Sequence, residues 1–228
     1  MLQHVEVSQS LQPFTKSHIQ LDQRSDGGAF SRPAGMPMTF PRNAEIYGEG
    51  EAFGNVYQVV SGAVRIAKLL PDGRRQISGF YLPGDIFGFE SGDVRHFSAE
   101  AVVQTKVIAF RWQSLLQAGT RSVGFFHQLL NVAMKDLRQT QTQLLIVGRK
   151  NALERVAAFL LEMSERSAST DLVELPMPRH DIADYLGLTL ETVSRMFAEL
   201  KEIGAIGLEG ARRVLLIDRD RLIRASTV

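Results

Sequence analysis

The chain has 228 residues, 44% of them hydrophobic and 22% charged, with 19 glycines and 8 prolines; this composition excludes a disordered chain and suits one large or two ordinary domains. Its 26 Lys and Arg against 25 Asp and Glu leave a formal net charge of +1, so bulk charge points to neither a nucleic acid nor a membrane surface. With no cysteine, disulfides, thiolate metal ligands, cysteine-held iron–sulfur clusters, thiolate haem ligation and a Cys nucleophile are excluded for this chain.

Residues 1–38 carry no sustained period and hold Asp26-Gly27-Gly28 and Arg32-Pro33-Ala34-Gly35, the texture of a surface arm. His4, Glu6, Gln12, Lys16 and His18 deny this stretch the apolar core of a secretory signal. No later run approaches the ~20 apolar residues of a membrane helix, so the expected compartment is the cytoplasm. From residue 39 to 115 short β-rich pieces (56–60, 63–67, 106–110) alternate with the turns Ser61-Gly62, Pro71-Asp72-Gly73 and Pro83-Gly84-Asp85. Strands at this spacing predict an antiparallel, jelly-roll-like β-roll.

The glycines then thin out, and residues 116–150 read as a long helix. Phe126, Leu130, Ala133, Leu137, Thr140, Leu144 and Val147 fall at alternating spacings of four and three, an a/d seam. Two readings are open: packing on its own domain, or a two-stranded dimer interface. The length of the helix, which outruns a small roll, favours the second. Arg149-Lys150-Asn151 reads as a hinge, and residues 152–166 as a second amphipathic helix. The rest of 151–228 holds a strand-like 172–175, two helical periods and a terminal hairpin, the outline of a second domain. The fold class is α+β.

The most specific stretch is residues 179–199, RHDIADYLGLTLETVSRMFAE, which fits a helix-turn-helix. Ala183 is small where two helices cross, Gly187 can take positive φ at the turn, and Ile182, Leu186, Leu188, Val193 and Met196 supply buried contacts. Thr189 suits the N-cap of the second helix. With Val193, Phe197 and Leu200 inward, that helix presents Leu190, Glu191, Ser194, Arg195 and Ala198. Arginine is the bidentate partner of guanine O6 and N7, and a carboxylate accepts from cytosine N4, so Arg195 and Glu191 could share one G·C pair. Leu190 suits a thymine methyl, and Ser194 does not discriminate. A Glu and Arg one turn apart are by themselves a common surface pair; the small residue, glycine, cap and apolar spacing carry the reading.

Beyond Gly204, segments 205–208 and 213–217 flank a glycine turn as a wing, with Arg212 and Arg213 at its tip to meet phosphates. Arg179, Thr189 and Thr192 are assigned to backbone contacts with them. Residues 178–228 hold eight basic and eight acidic side chains, so affinity would rest on placement and on two copies rather than on net charge.

Over about residues 40–224 this arrangement resembles the Crp/Fnr superfamily of bacterial transcription regulators, whose roll is a cyclic-nucleotide-binding-domain fold. The resemblance is carried by Tyr57, Gly62, Val64, Gly73, the run Leu82-Pro83-Gly84-Asp85-Ile86-Phe87-Gly88 and Glu191-Thr192-Val193-Ser194-Arg195. The Glu-x-x-Ser-Arg form is similar to the Fnr and FixK branch, and the cysteine-free chain to the FixK type. The resemblance implies a homodimer on a TTGAT-N4-ATCAA palindrome that activates through RNA polymerase. Phe97-Ser98-Ala99 stands where cyclic-nucleotide members carry an Arg-Ser-Ala-type phosphate cassette, so a regulator with no cofactor and no effector is expected. A small anion held by Arg95 is the alternative within the family. A cupin-like metalloenzyme is the distant one, disfavoured because His4, His18, His96, His127 and His180 are scattered and cupins cluster their histidines; neither a metal site nor enzymatic activity is expected.

Overall fold

The structure, a computed structural model, describes residues 34–167, 169 and 171–227; the expected arm up to residue 33, with His4 and His18, lies outside the described residues. Alternating apolar residues and tight turns give eight strands: β1 (Met36–Phe40), β2 (Glu45–Tyr47), β3 (Asn55–Ser61), β4 (Val64–Leu69), β5 (Arg75–Tyr81), β6 (Ile86–Phe87), β7 (Ser98–Ala101) and β8 (Thr105–Arg111). They form two antiparallel sheets, ordered β1-β8-β3-β6 and β2-β7-β4-β5. The first strand starts at Met36, inside the stretch expected to be arm. The β3–β4 turn needs glycine: Gly62 has φ +89°, and a Cβ there would lie 2.7 Å from the Thr105 Cα. Between the sheets lie Tyr47, Tyr57, Val59, Val64, Ile66, Phe87 and Val107, with the Tyr57 and Phe87 rings stacked at 5.3 Å and Tyr47 5.7 Å from Tyr57. The middle of the roll is therefore filled by aromatic side chains.

The expected helix over 116–150 is two helices, α1 (Trp112–Arg121) and α2 (Val123–Arg149). Ser122 separates them with extended backbone, and its hydroxyl accepts the Phe125 N–H at 3.2 Å as the cap of α2, which is why the chain restarts there. The 27 residues of α2 span about 40 Å at 1.5 Å per residue. Phe125, Leu129, Val132 and Ile146 bury one face against the same chain. The stripe one residue further on is left uncovered: Phe126, Leu130, Leu137, Thr140 and Leu144 are exposed, with Ala133 and Val147 half-buried.

After an extended Lys150, Asn151 opens α3 (Ala152–Arg166) with a reciprocal capping box to Glu154, the arrangement that satisfies free N–H groups at both ends of the first turn. There follow β9 (Leu172–Glu174), α4 (Arg179–Leu186), α5 (Leu190–Glu202), β10 (Ile206–Glu209), β11 (Arg213–Leu216) and α6 (Arg219–Ala225). The expected hairpin is two strands of a three-stranded sheet, β10-β11-β9, because the strand-like 172–175 segment returns to pair with β11. One apolar core runs from this half into the roll: Ala63, Ala67, Ile77, Phe80 and Val102 pack with Phe159, Leu160, Tyr185 and Leu186. Phe80 lies 6.5 Å from the Phe159 ring and 5.2 Å from that of Tyr185. Asp85 ties the same seam together through Lys135 of α2 and Arg166 of α3. Burial opposes its charge, but the two cations hold the carboxyl below the ordinary aspartate range.

Candidate nucleic-acid interface

Helices α4 and α5 meet as the spacing predicts. Ala183, Val193, Met196, Phe197 and Leu200 are buried at the crossing, and Gly187 ends α4 in the left-handed region at φ 63°, ψ 41°. A residue with a Cβ is strained there. Arg155 Nη1 donates to the Leu186 carbonyl at 3.0 Å, satisfying an oxygen that the helix end leaves free. Thr189 caps α5: its hydroxyl accepts the Thr192 N–H at 3.2 Å and bonds the Thr192 hydroxyl at 3.1 Å.

This geometry brings Leu190, Glu191, Ser194 and Arg195 onto one exposed face. Glu191 sits in the first turn of α5, where helix dipole and free amides favour an anion. Its carboxyl is held below the ordinary glutamate range by its own backbone N–H and by the Thr189 side chain, so it stands ready as an acceptor. Arg195 makes no ion pair among the described residues. The Ser194 hydroxyl donates to the Leu190 carbonyl at 2.9 Å, leaving its lone pairs toward solvent. At the wing, Arg212 is exposed and Arg213 pairs with Glu209 across the strands at 3.3 Å.

Arg179 has a different place from the phosphate contact expected of it. Its guanidinium carbon lies 3.1 Å from the centre of the Phe197 ring and Nη1 is buried without a partner. Burial lowers its pKa to about 10. The aromatic face of α5 has drawn the cation inward, so it is not presented to a phosphate in this conformation.

Arg95 also departs from expectation. It is neither a surface residue nor an open anion site: only 3% exposed, it donates through Nη1 to the Gly88 carbonyl at 2.6 Å and through Nη2 to that of Asn55 at 2.5 Å. Its guanidinium lies 3.9 Å from the Tyr47 ring centre. Two of its donors are thus engaged by the roll's own backbone, while Nε is buried without a hydrogen-bond partner among the described residues. Phe97 packs on the roll core and lies 5.7 Å beneath Lys68 Nζ, while Ser98 Oγ accepts the Glu49 N–H at 2.9 Å. His96 pairs with Glu90 and His180 with Asp181, and the described residues hold no group of three or more His, Asp or Glu placed to hold a metal ion. No described helix is long and apolar enough to cross a membrane.

Sequence reasoning missed the residues that join α4 to the roll, Asp181 and Asp184 among them. Asp181 reads in sequence as an acidic residue of a first helical turn, and nothing local says that a sheet covers it.

A β-roll joined through long helices to a winged helix-turn-helix with an exposed polar reading face defines a DNA-binding transcription regulator. Residues 37–122 match the cyclic nucleotide-binding domain and residues 154–225 the Crp-like helix-turn-helix domain. The nitrogen fixation regulation protein FixK of Azorhizobium caulinodans is 47% identical over 195 residues, covering 83% of this chain and 79% of that protein. Its namesake in Rhizobium meliloti is 42% identical over 184 residues, 81% of this chain and 84% of the relative. The solved structure of FixK2 from Bradyrhizobium japonicum superposes with a TM-score of 0.82 at 46% identity, covering 86% of this chain and 98% of that one. The chain belongs to the Crp/Fnr family of transcription regulators, in its FixK-type branch. It is a regulator and not an enzyme.

Proposed function

We propose that the protein acts in the cytoplasm as a homodimer that binds a TTGAT-N4-ATCAA palindrome without a small-molecule effector and activates transcription through RNA polymerase. The observation that carries this reading is the exposed face of Leu190, Glu191, Ser194 and Arg195 on α5. Arg195 reads the guanine of each half-site, Glu191 the cytosine opposite it, and Leu190 a thymine methyl. Thr189, Thr192, Arg212 and Arg213 supply the phosphate contacts. In this division of labour residues 39–115 are the roll, 116–150 the dimerisation region and 151–228 the DNA-binding domain.

The uncovered stripe from Phe126 to Val147 supports the dimer: a second copy of α2 would bury it as an isologous interface. Effector independence is supported by the aromatic filling between the sheets and by the burial of Arg95, two of whose donors are held by backbone carbonyls. The test is unbiased selection of binding sites by the purified protein, with and without a metabolite extract. The expected result is the same palindrome in both; enrichment only with extract, or of a different motif, would overturn the reading.

A further inference from the structure

The DNA-binding half meets the roll over a buried ion-pair network. Asp181, in the first turn of α4, has no exposed side-chain surface. Its carboxylate accepts from two arginines of the roll, Arg65 Nη1 on Oδ2 at 2.8 Å and Arg75 Nη2 on Oδ1 at 2.5 Å. Arg65 continues to Glu100 on β7 through Nε at 2.9 Å, and Arg75 to Asp184, one turn along α4, at 2.7 Å. Two side-chain amides tie down the same helix: Gln76 Nε2 donates to the Asp184 carbonyl at 2.9 Å and Gln143 Nε2, from α2, to that of Tyr185 at 2.7 Å.

Ion pairs of this kind add little stability over an apolar contact of the same shape, because desolvation offsets most of the attraction. They add geometry. The rings of Phe80, Phe159 and Tyr185 could slide on one another, whereas two guanidinium groups gripping one carboxylate fix the orientation. The face of α4 that bears Asp181 and Asp184 looks at the roll, and the reading face of α5 stays exposed, so docking does not shield it. A two-fold dimer must hold its recognition helices about one turn of DNA apart. A domain free to swing occupies that arrangement for a fraction of the time, and its apparent affinity falls by the same fraction.

We propose that Asp181 gripped by Arg65 and Arg75 is a positioning element for DNA recognition, holding the helix-turn-helix on the roll in the DNA-reading orientation with no ligand bound. The inference rests on the ligand-free operator binding proposed above and supplies its mechanism. The test is a double-mutant cycle on the outer arm of the network in the full chain, with neutral variants that set no like charge against Asp181: Arg75→Gln, Asp184→Asn and the double variant. Hydrogen exchange of the α4 amides, read without DNA, reports docking; fluorescence anisotropy with the palindrome reports affinity. Arg75→Gln should speed α4 exchange and weaken operator binding roughly tenfold, as for a domain that docks one tenth of the time, Asp184→Asn should do so less, and the double variant should be no worse than Arg75→Gln. Faster exchange with unchanged affinity, tighter binding by the single variants, or fully additive losses in the double would overturn the proposal. Failure of the unaltered protein to bind the palindrome without metabolites would instead sink the ligand-free reading, and hydrogen exchange across the cycle would still decide whether the network governs docking.

Discussion

Leu137→Glu separates the uncovered stripe of α2 from the face that holds its own domain. Leu137 keeps 49% of its surface and Leu144, two turns on, 73%. Full burial of a leucine is worth about 1.5–3 kcal/mol, so the half still exposed leaves about 1 kcal/mol to gain on association. A two-fold interface counts it twice, giving about 2 kcal/mol per dimer. Glutamate forfeits this and brings two like charges to a closing apolar seam, at a further cost of at least about 2 kcal/mol. The sum, about 4 kcal/mol, is roughly a thousandfold in the dimer dissociation constant. Sedimentation velocity over a concentration series measures it, and circular dichroism should show unchanged helix content because Leu137 is not part of the chain's own core. A dissociation constant that moves less than tenfold would show that the stripe is not the dimer interface.

Arg195→Ala should cost about 1–3 kcal/mol of specific binding with the loss concentrated at the guanine position; a uniform loss over all sequences in a competition assay would refute base reading. Arg95→Met removes two charge-assisted hydrogen bonds to buried carbonyls, about 3 kcal/mol together, which should lower Tm by about 10 °C for a chain of this size. Millimolar dicarboxylates should leave the Tm of the unaltered protein where it is; a clear rise would revive an anion site in the roll.

What was legible in the sequence was local. Gly187, Thr189 and the spacing of Val193, Phe197 and Leu200 are each short-range signals, and the helix-turn-helix they outline is present with its cap and its positive-φ turn. The antiparallel roll followed from short β-rich runs between glycine turns. The remaining contacts depend on distant chain. Arg65 alternates with Val64 and Ile66 as if facing water, but Asp181 reaches it from 116 residues away. Arg95 lies in a turn-rich stretch whose closure over Tyr47 and Asn55 no local pattern announces, and Arg179 folds back onto the Phe197 ring from 18 residues away in sequence. The break at Ser122 was short-range yet hidden, since a single serine cap is weaker punctuation than glycine or proline.

A dimer with two fixed recognition helices should read a palindrome without a ligand. The decisive measurement titrates purified, metabolite-free protein against TTGAT-N4-ATCAA and against the same half-sites separated by five more base pairs, about half a turn of B-DNA. Tight binding to the first and a loss of roughly a hundredfold on the second are expected, since one half-site is rotated out of reach. Equal affinity for both, or no binding to either until a metabolite is added, would contradict it.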